Sequence, residues 1–183
     1  DATLSTIARL LTVIIVFGMA YGAVMGSFSG LAPGRYWQLL YSASKVPLLL
    51  LVTLGIGLPS YYVIGSLLGL SRDFGRSVRA ILAAQAGLSV ILASLAPLTA
   101  LWYASNNNYA SATLFNLAMF AIASLAANFL LRRHFGPLVA HRPAHRQMLW
   151  IWLAITSFVG VQMAWVLRPF LGDPRKPVEF FRE

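Results

Sequence analysis

The 183-residue chain has no cysteine, which removes disulfides, thiolate metal sites and cysteine nucleophiles. Acidic residues are almost as scarce: Asp1, Asp73, Asp173, Glu179 and Glu183 are the full set. Charged residues make up 10% of the sequence, against about a quarter in a soluble domain. Most telling is where charge is missing. Five apolar runs, over 10–26, 46–70, 80–103, 111–131 and 148–167, contain no Asp, Glu, Lys, Arg or His. Transport chemistry and membrane haem or chlorophyll ligation usually place an ionisable residue at membrane depth, so this absence argues against both. It also leaves no acid, base or nucleophile cluster for a membrane protease, phosphatase or lipid transferase. No glycine loop followed by Lys-Ser or Lys-Thr is present to cradle a phosphate. The chain reads as a non-enzyme with no cofactor.

What fills the chain instead is apolar sequence, at 58%. About 20 apolar residues at 1.5 Å rise cross a hydrocarbon core of roughly 30 Å, so each run is a candidate span. The expected fold is all-α, a polytopic bundle of five transmembrane helices over about 4–26, 46–70, 79–103, 111–131 and 148–167. Residues 1–168 then form one membrane domain and 169–183 a short extramembrane tail. Arg9 and the apolar run after it loosely imitate a signal peptide, but the run continues to Gly26 without a clear cleavage site. The second run, bounded by Lys45 and Arg72, is about 40 Å as a helix and should tilt or bend, with Pro59 near its middle. Pro97 has the same potential in the third.

Net charge is +9, which suits loops at anionic headgroups better than nucleic acid, because no loop is long enough for a binding module. Loops alternate between faces. One face carries Arg9, Arg72, Arg76, Arg79, Arg132, Arg133, Arg142 and Arg146; the other carries Arg35, Lys45, Arg168, Arg175, Lys176 and Arg182. Eight against six favours a cytoplasmic N-terminus and an outside C-terminus. Tyr36, Trp37, Tyr41, Trp102, Tyr103, Tyr109 and Trp165 gather at one interface and Trp150 and Trp152 near the other, as an aromatic belt does. The 35–44 segment, with its mixed polar and aromatic positions, suits a surface stretch before the second span.

The strongest motif is Gly18, Gly22 and Gly26, a GxxxGxxxG ladder that bares one helix face for close packing. It serves either a neighbouring helix of the same chain or a partner, flat lipid, quinone or pigment. Gln85, Asn116, Asn128 and Gln162 are amides within spans, suited to interhelical hydrogen bonds or to lining a polar path. His134, His141 and His145 share the basic segment before the last span. His141 and His145 have the i, i+4 spacing of a metal clamp, but Pro143 interrupts the helix and no carboxylate or thiol is adjacent, so no metal site is expected. Arg132, Arg133, Arg142 and Arg146 in the same segment suit anionic lipid or the acidic surface of a partner.

Lys45-Val-Pro-Leu-Leu-Leu, Leu58-Pro-Ser-Tyr-Tyr-Val, the hairpin Phe74-Gly-Arg-Ser-Val-Arg79 and Gln162-Met-Ala-Trp-Val-Leu-Arg-Pro-Phe-Leu-Gly172 resemble Yip1-type membrane proteins, in particular their small bacterial relatives. The resemblance covers about residues 38–104 and the last 25 or so. It implies a five-helix bundle with a cytoplasmic N-terminus in a bacterial inner membrane; eukaryotic members act as non-enzymatic partners in membrane trafficking, while the bacterial ones have no settled role. The long soluble N-terminal segment of eukaryotic members is not part of this sequence, and no functional residues are carried over. Two readings follow. The first is an accessory or scaffold subunit of a larger membrane complex, working through its glycine face, with lipids and other membrane subunits as partners. The second is a small carrier or channel whose path is lined by Gln85, Asn116, Asn128 and Gln162.

Overall fold

A computed structural model describes residues 2–30, 36–106, 108–171 and 180. Five helices account for nearly all of it: α1 (Ala2–Gly26), α2 (Tyr36–Leu67), α3 (Phe74–Ser105), α4 (Tyr109–His141) and α5 (Ala144–Val166). Each is long and apolar enough to cross a membrane, and the described residues contain no strand. The chain is an all-α membrane bundle. Its near face carries the start of α1 and the α2–α3 and α4–α5 turns; its far face carries the other two connections and the end of α5.

The helices run past the expected bounds. Residues 36–44, which the sequence suggested as a surface stretch, are the first part of α2, and Arg35 lies outside the described residues. Pro47 and Pro59 lie inside α2, Pro97 inside α3 and Pro137 inside α4, and each helix continues through them. A helix loses one backbone bond at proline without ending, which membrane bundles tolerate. The α2 terminus is a Schellman cap: Leu70 N–H donates to Gly65 O at 2.8 Å and Gly69 N–H to Ser66 O at 3.1 Å. Gly69 takes φ +70°, the left-handed conformation that cap needs. At the far face, Asn108 caps α4 by accepting from Ala110 N–H at 2.9 Å and Ser111 N–H at 3.3 Å.

The helices close into a ring in the order α1, α2, α5, α4, α3. The tightest seam joins α1 to α2, and the glycine ladder makes it. A Cβ on Gly18 would stand 3.3 Å from Pro47 Cβ; on Gly22, 2.8 Å from Ala43 Cα and in collision with the Ser42 carbonyl oxygen; on Gly26, 2.7 Å from Leu39 Cα. Glycines four apart on α1 therefore face Pro47, Ala43 and Leu39, four apart on antiparallel α2. Backbones meet directly, and van der Waals contact holds them where lipid offers no hydrophobic drive. The glycine face is an internal one.

Candidate functional site

Opposite that seam the ring is loose. α4 and α5 leave the α4–α5 turn side by side but touch sparingly along their length. Between them, backed by α2 and α3, lies a half-open cavity of about 700 Å³. Its α4 wall runs from Tyr109 to Leu131, about 33 Å of helix, the thickness of a hydrocarbon core. Leu117 and Val161 stand at its rim, 65% and 70% exposed, so the opening faces lipid laterally.

Gln85, Asn116 and Asn128, three of the four amides singled out in the sequence, line this one cavity. Gln162 does not line it; it sits on the exposed side of α5. The three differ in what they do. Asn116, 3% exposed, is a helix cross-link: its Oδ1 accepts from Tyr21 OH at 3.0 Å, and its Nδ2 donates to Tyr103 OH and, at 2.7 Å, to Ala112 O. It ties α1, α3 and α4 together. Gln85 Nε2 donates to Leu50 O at 3.2 Å, joining α3 to α2. Asn128 makes no side-chain hydrogen bond with any described residue. Nor do Ser124, one turn away on the same face, or Ser157 across the crevice. Thr53, 6% exposed and also in the lining, has a hydroxyl oxygen buried without a partner.

Among the described residues, the only charged one in the lining is Arg168, at the far-face end, its guanidinium 3.8 Å from the centroid of the Trp165 ring. It opens the segment 168–171, which folds back over the cavity instead of leaving the bundle. Pro169 and Leu171 are buried, while residues 172–179 and 181–183 of the expected tail lie outside the described residues. The clasp is on α2. Lys45 Nζ donates to Pro169 O at 2.7 Å, and Ser42 Oγ donates to Phe170 O at 2.5 Å. Gln38 Nε2 donates to Ser42 Oγ at 3.2 Å, and the Phe180 ring lies 4.8 Å from the Lys45 ammonium.

Lys45 thus corrects the sequence reading twice. It is not a loop residue but sits inside α2 with 0% exposure, and the bundle interior does hold an ionisable group. Hydropathy placed it just outside an apolar run; only the fold brings the carbonyl that satisfies it. His145 is a further correction. It is 1% exposed, and a carboxylate distant in sequence does reach it: its Nε2 lies 3.3 Å from Asp73 Oδ2. Asp73 precedes α3 and His145 lies in the first turn of α5, so 72 residues separate this pair and no spacing rule reveals it. Beside it, Arg142 donates to Gly69 O at 3.1 Å, and the two links pin the near-face turns together. α4 ends at His141 and Pro143 caps α5, so His141 and His145 lie on different helices. No group of three or more metal-ligating side chains occurs among the described residues.

Arg132, Arg133, Arg142 and Arg146 all reach the near-face surface, Arg132 with its guanidinium 5.2 Å from the Trp150 ring. Trp152 and Tyr103 depart from the expected belt. Trp152 is buried, 3.1 Å from where a Cβ on Gly57 would stand, and lines the cavity; Tyr103 is the buried partner of Asn116.

Comparison with protein-family models, with curated proteins and with solved structures gave no match.

Proposed function

We propose that the protein is a non-catalytic membrane carrier that takes a membrane-soluble molecule from the bilayer into the crevice between α4 and α5. The observation that supports this is the convergence of Gln85, Asn116 and Asn128 on one cavity of about 700 Å³, within the size range of small-molecule sites. The lateral opening gives such a molecule a route from lipid. The described lining holds no carboxylate or histidine, and so no group to carry a proton through it. The glycine face, one of the features behind the accessory-subunit reading, is taken up by α2.

The near face belongs in the cytoplasm on this reading. With Lys45 buried in α2, the far-face basic count falls from six to five against eight, which strengthens the positive-inside bias. A bacterial inner membrane is the setting the Yip1-type resemblance implies.

Gentle extraction followed by mass spectrometry of organic-soluble material tests the proposal. A stoichiometric small molecule should accompany the wild-type chain and be lost from Gly160→Phe, whose new ring enters the crevice opposite Thr53. If both forms carry the same lipids in the same amounts, the carrier reading fails.

A further inference from the structure

Four polar groups of the crevice lie within about one helical turn of the same distance from the near-face helix ends. Asn128 stands on α4, which reaches the near face at His141, and Ser157 on α5, which leaves that face at Ala144. At a rise of about 1.5 Å per residue, each lies roughly 20 Å from the near-face end of its helix. Gln85 is about 16 Å from the start of α3 at Phe74, and Thr53 about 21 Å from the end of α2 at Leu67. Each of these four helices sends an uncharged hydrogen-bonding side chain to this level, and all four line the cavity; Thr156, beside Ser157, spends its hydroxyl on the carbonyl oxygens of Trp152 and Leu153.

Helix packing does not use these groups up. Asn128 and Ser157 side chains bond to no described residue, and the Thr53 hydroxyl is buried without a partner. Gln85 engages its Nε2 and keeps its Oε1. Asn116, by contrast, has both ends of its amide engaged. An unsatisfied amide or hydroxyl at membrane depth is costly, so a belt of them calls for something that supplies the missing bonds. We infer that the belt of Thr53, Gln85, Asn128 and Ser157 binds the polar end of an uncharged molecule, a hydroxyl or carbonyl on an otherwise apolar body. This rests on the crevice being a binding site and adds the class of its ligand.

Three observations favour a neutral polar end over an anionic one. No described lining residue at belt depth carries charge, so an anion there would be desolvated without a counter-charge. Amides and hydroxyls offer both donors and acceptors, which matches a hydroxyl or carbonyl equally. Arg168, the one cation, follows Ser157 along the chain and lies about 16 Å farther toward the far face. Between them Leu117, Phe120, Val161 and Ala164 form an apolar stretch that suits a hydrocarbon body.

The test is photolabelling of the full chain in nanodiscs with a long-chain fatty alcohol bearing a diazirine in its chain, beside the fatty acid of the same chain. The alcohol should label the α4 and α5 walls saturably and in preference to the acid. Asn128→Leu should weaken it about tenfold, the loss of one buried hydrogen bond. Ser157→Ala should weaken it less, with an unchanged thermal midpoint showing that the fold is intact. Preference for the acid, abolished by Arg168→Gln, would overturn the neutral-ligand inference and leave the crevice a binding site. Alcohol labelling untouched by both belt variants would also overturn it. Absence of saturable labelling by either probe, with Gly160→Phe retaining every co-purified molecule, would remove the belt and the carrier reading together.

Discussion

The α1–α2 seam and the α4–α5 crevice use the same material to opposite ends. Both join antiparallel helices, and both have small residues on the facing surfaces: Gly18, Gly22 and Gly26 in the seam, Ala121, Gly160 and Ala164 in the crevice. In the seam the space a side chain would take is filled by the backbone of α2. In the crevice it is left open: a Cβ on Gly160 would meet only the Thr53 methyl, at 3.9 Å. A small residue therefore does not specify contact; it permits contact if a neighbour comes close, and otherwise makes room. Clasps elsewhere decide which happens. The near-face links Asp73–His145 and Arg142–Gly69 hold the α4–α5 turn to the α2–α3 turn, and the Lys45 clasp holds the chain after α5 to α2. α5 is thus fastened at both ends on the α2 side and is not drawn against α4.

The same substitution should act in opposite directions on the two sides. Gly22→Ala should drive a Cβ into the Ser42 carbonyl and Ala43 Cα and push α1 off α2. The expected cost exceeds the roughly 1–3 kcal/mol of ordinary overpacking, because backbone and not a side chain must yield. Thermal unfolding in detergent should show a large fall or no folded protein; a wild-type midpoint would mean that the seam is not built as described. Asn116→Leu comes next. It strips partners from Tyr21 and Tyr103 and should cost about 1–2 kcal/mol, read from the same melts.

Lys45→Met tests the clasp. Methionine fills most of the space but leaves the Pro169 carbonyl without its donor, at about 1–3 kcal/mol. Its effect should concentrate after α5, so limited proteolysis near Arg168 should speed up while the five helices stay protected. Uniform cleavage throughout the bundle would contradict a local role. The smallest effect belongs to Gly160→Ala, which should stay within about 0.5 kcal/mol of wild type or rise slightly, since alanine suits a helix better than glycine and nothing blocks its methyl. Equal losses from Gly22→Ala and Gly160→Ala would erase the distinction between seam and crevice.

Much of the fold was legible in the sequence because spanning a membrane is a local property. A stretch of apolar residues long enough to cross must form a helix, whatever surrounds it. That reasoning reached the five spans and put Gly18, Gly22 and Gly26 on one face. It placed the helix ends less well: α2 begins at Tyr36, well before the apolar run at Val46, because Gln38, Ser42 and Lys45 look like loop residues until their partners are known. Of the amides, Gln162 matched Asn128 in every local respect, and only the rotation of α5 separates them.

Five apolar helices with uncharged central stretches, and one helix face bared for close approach, follow from local sequence. That α2 covers that face, that Lys45 lies inside the bundle against Pro169 and that Asp73 meets His145 follow only from how the helices pack. Packing also brings Thr53, Gln85, Asn128 and Ser157 into one cavity. The physical reason is range. Hydropathy and helical periodicity are set within a few turns of chain, whereas the order of helices around the ring and their rotations are set by contacts between residues far apart in sequence.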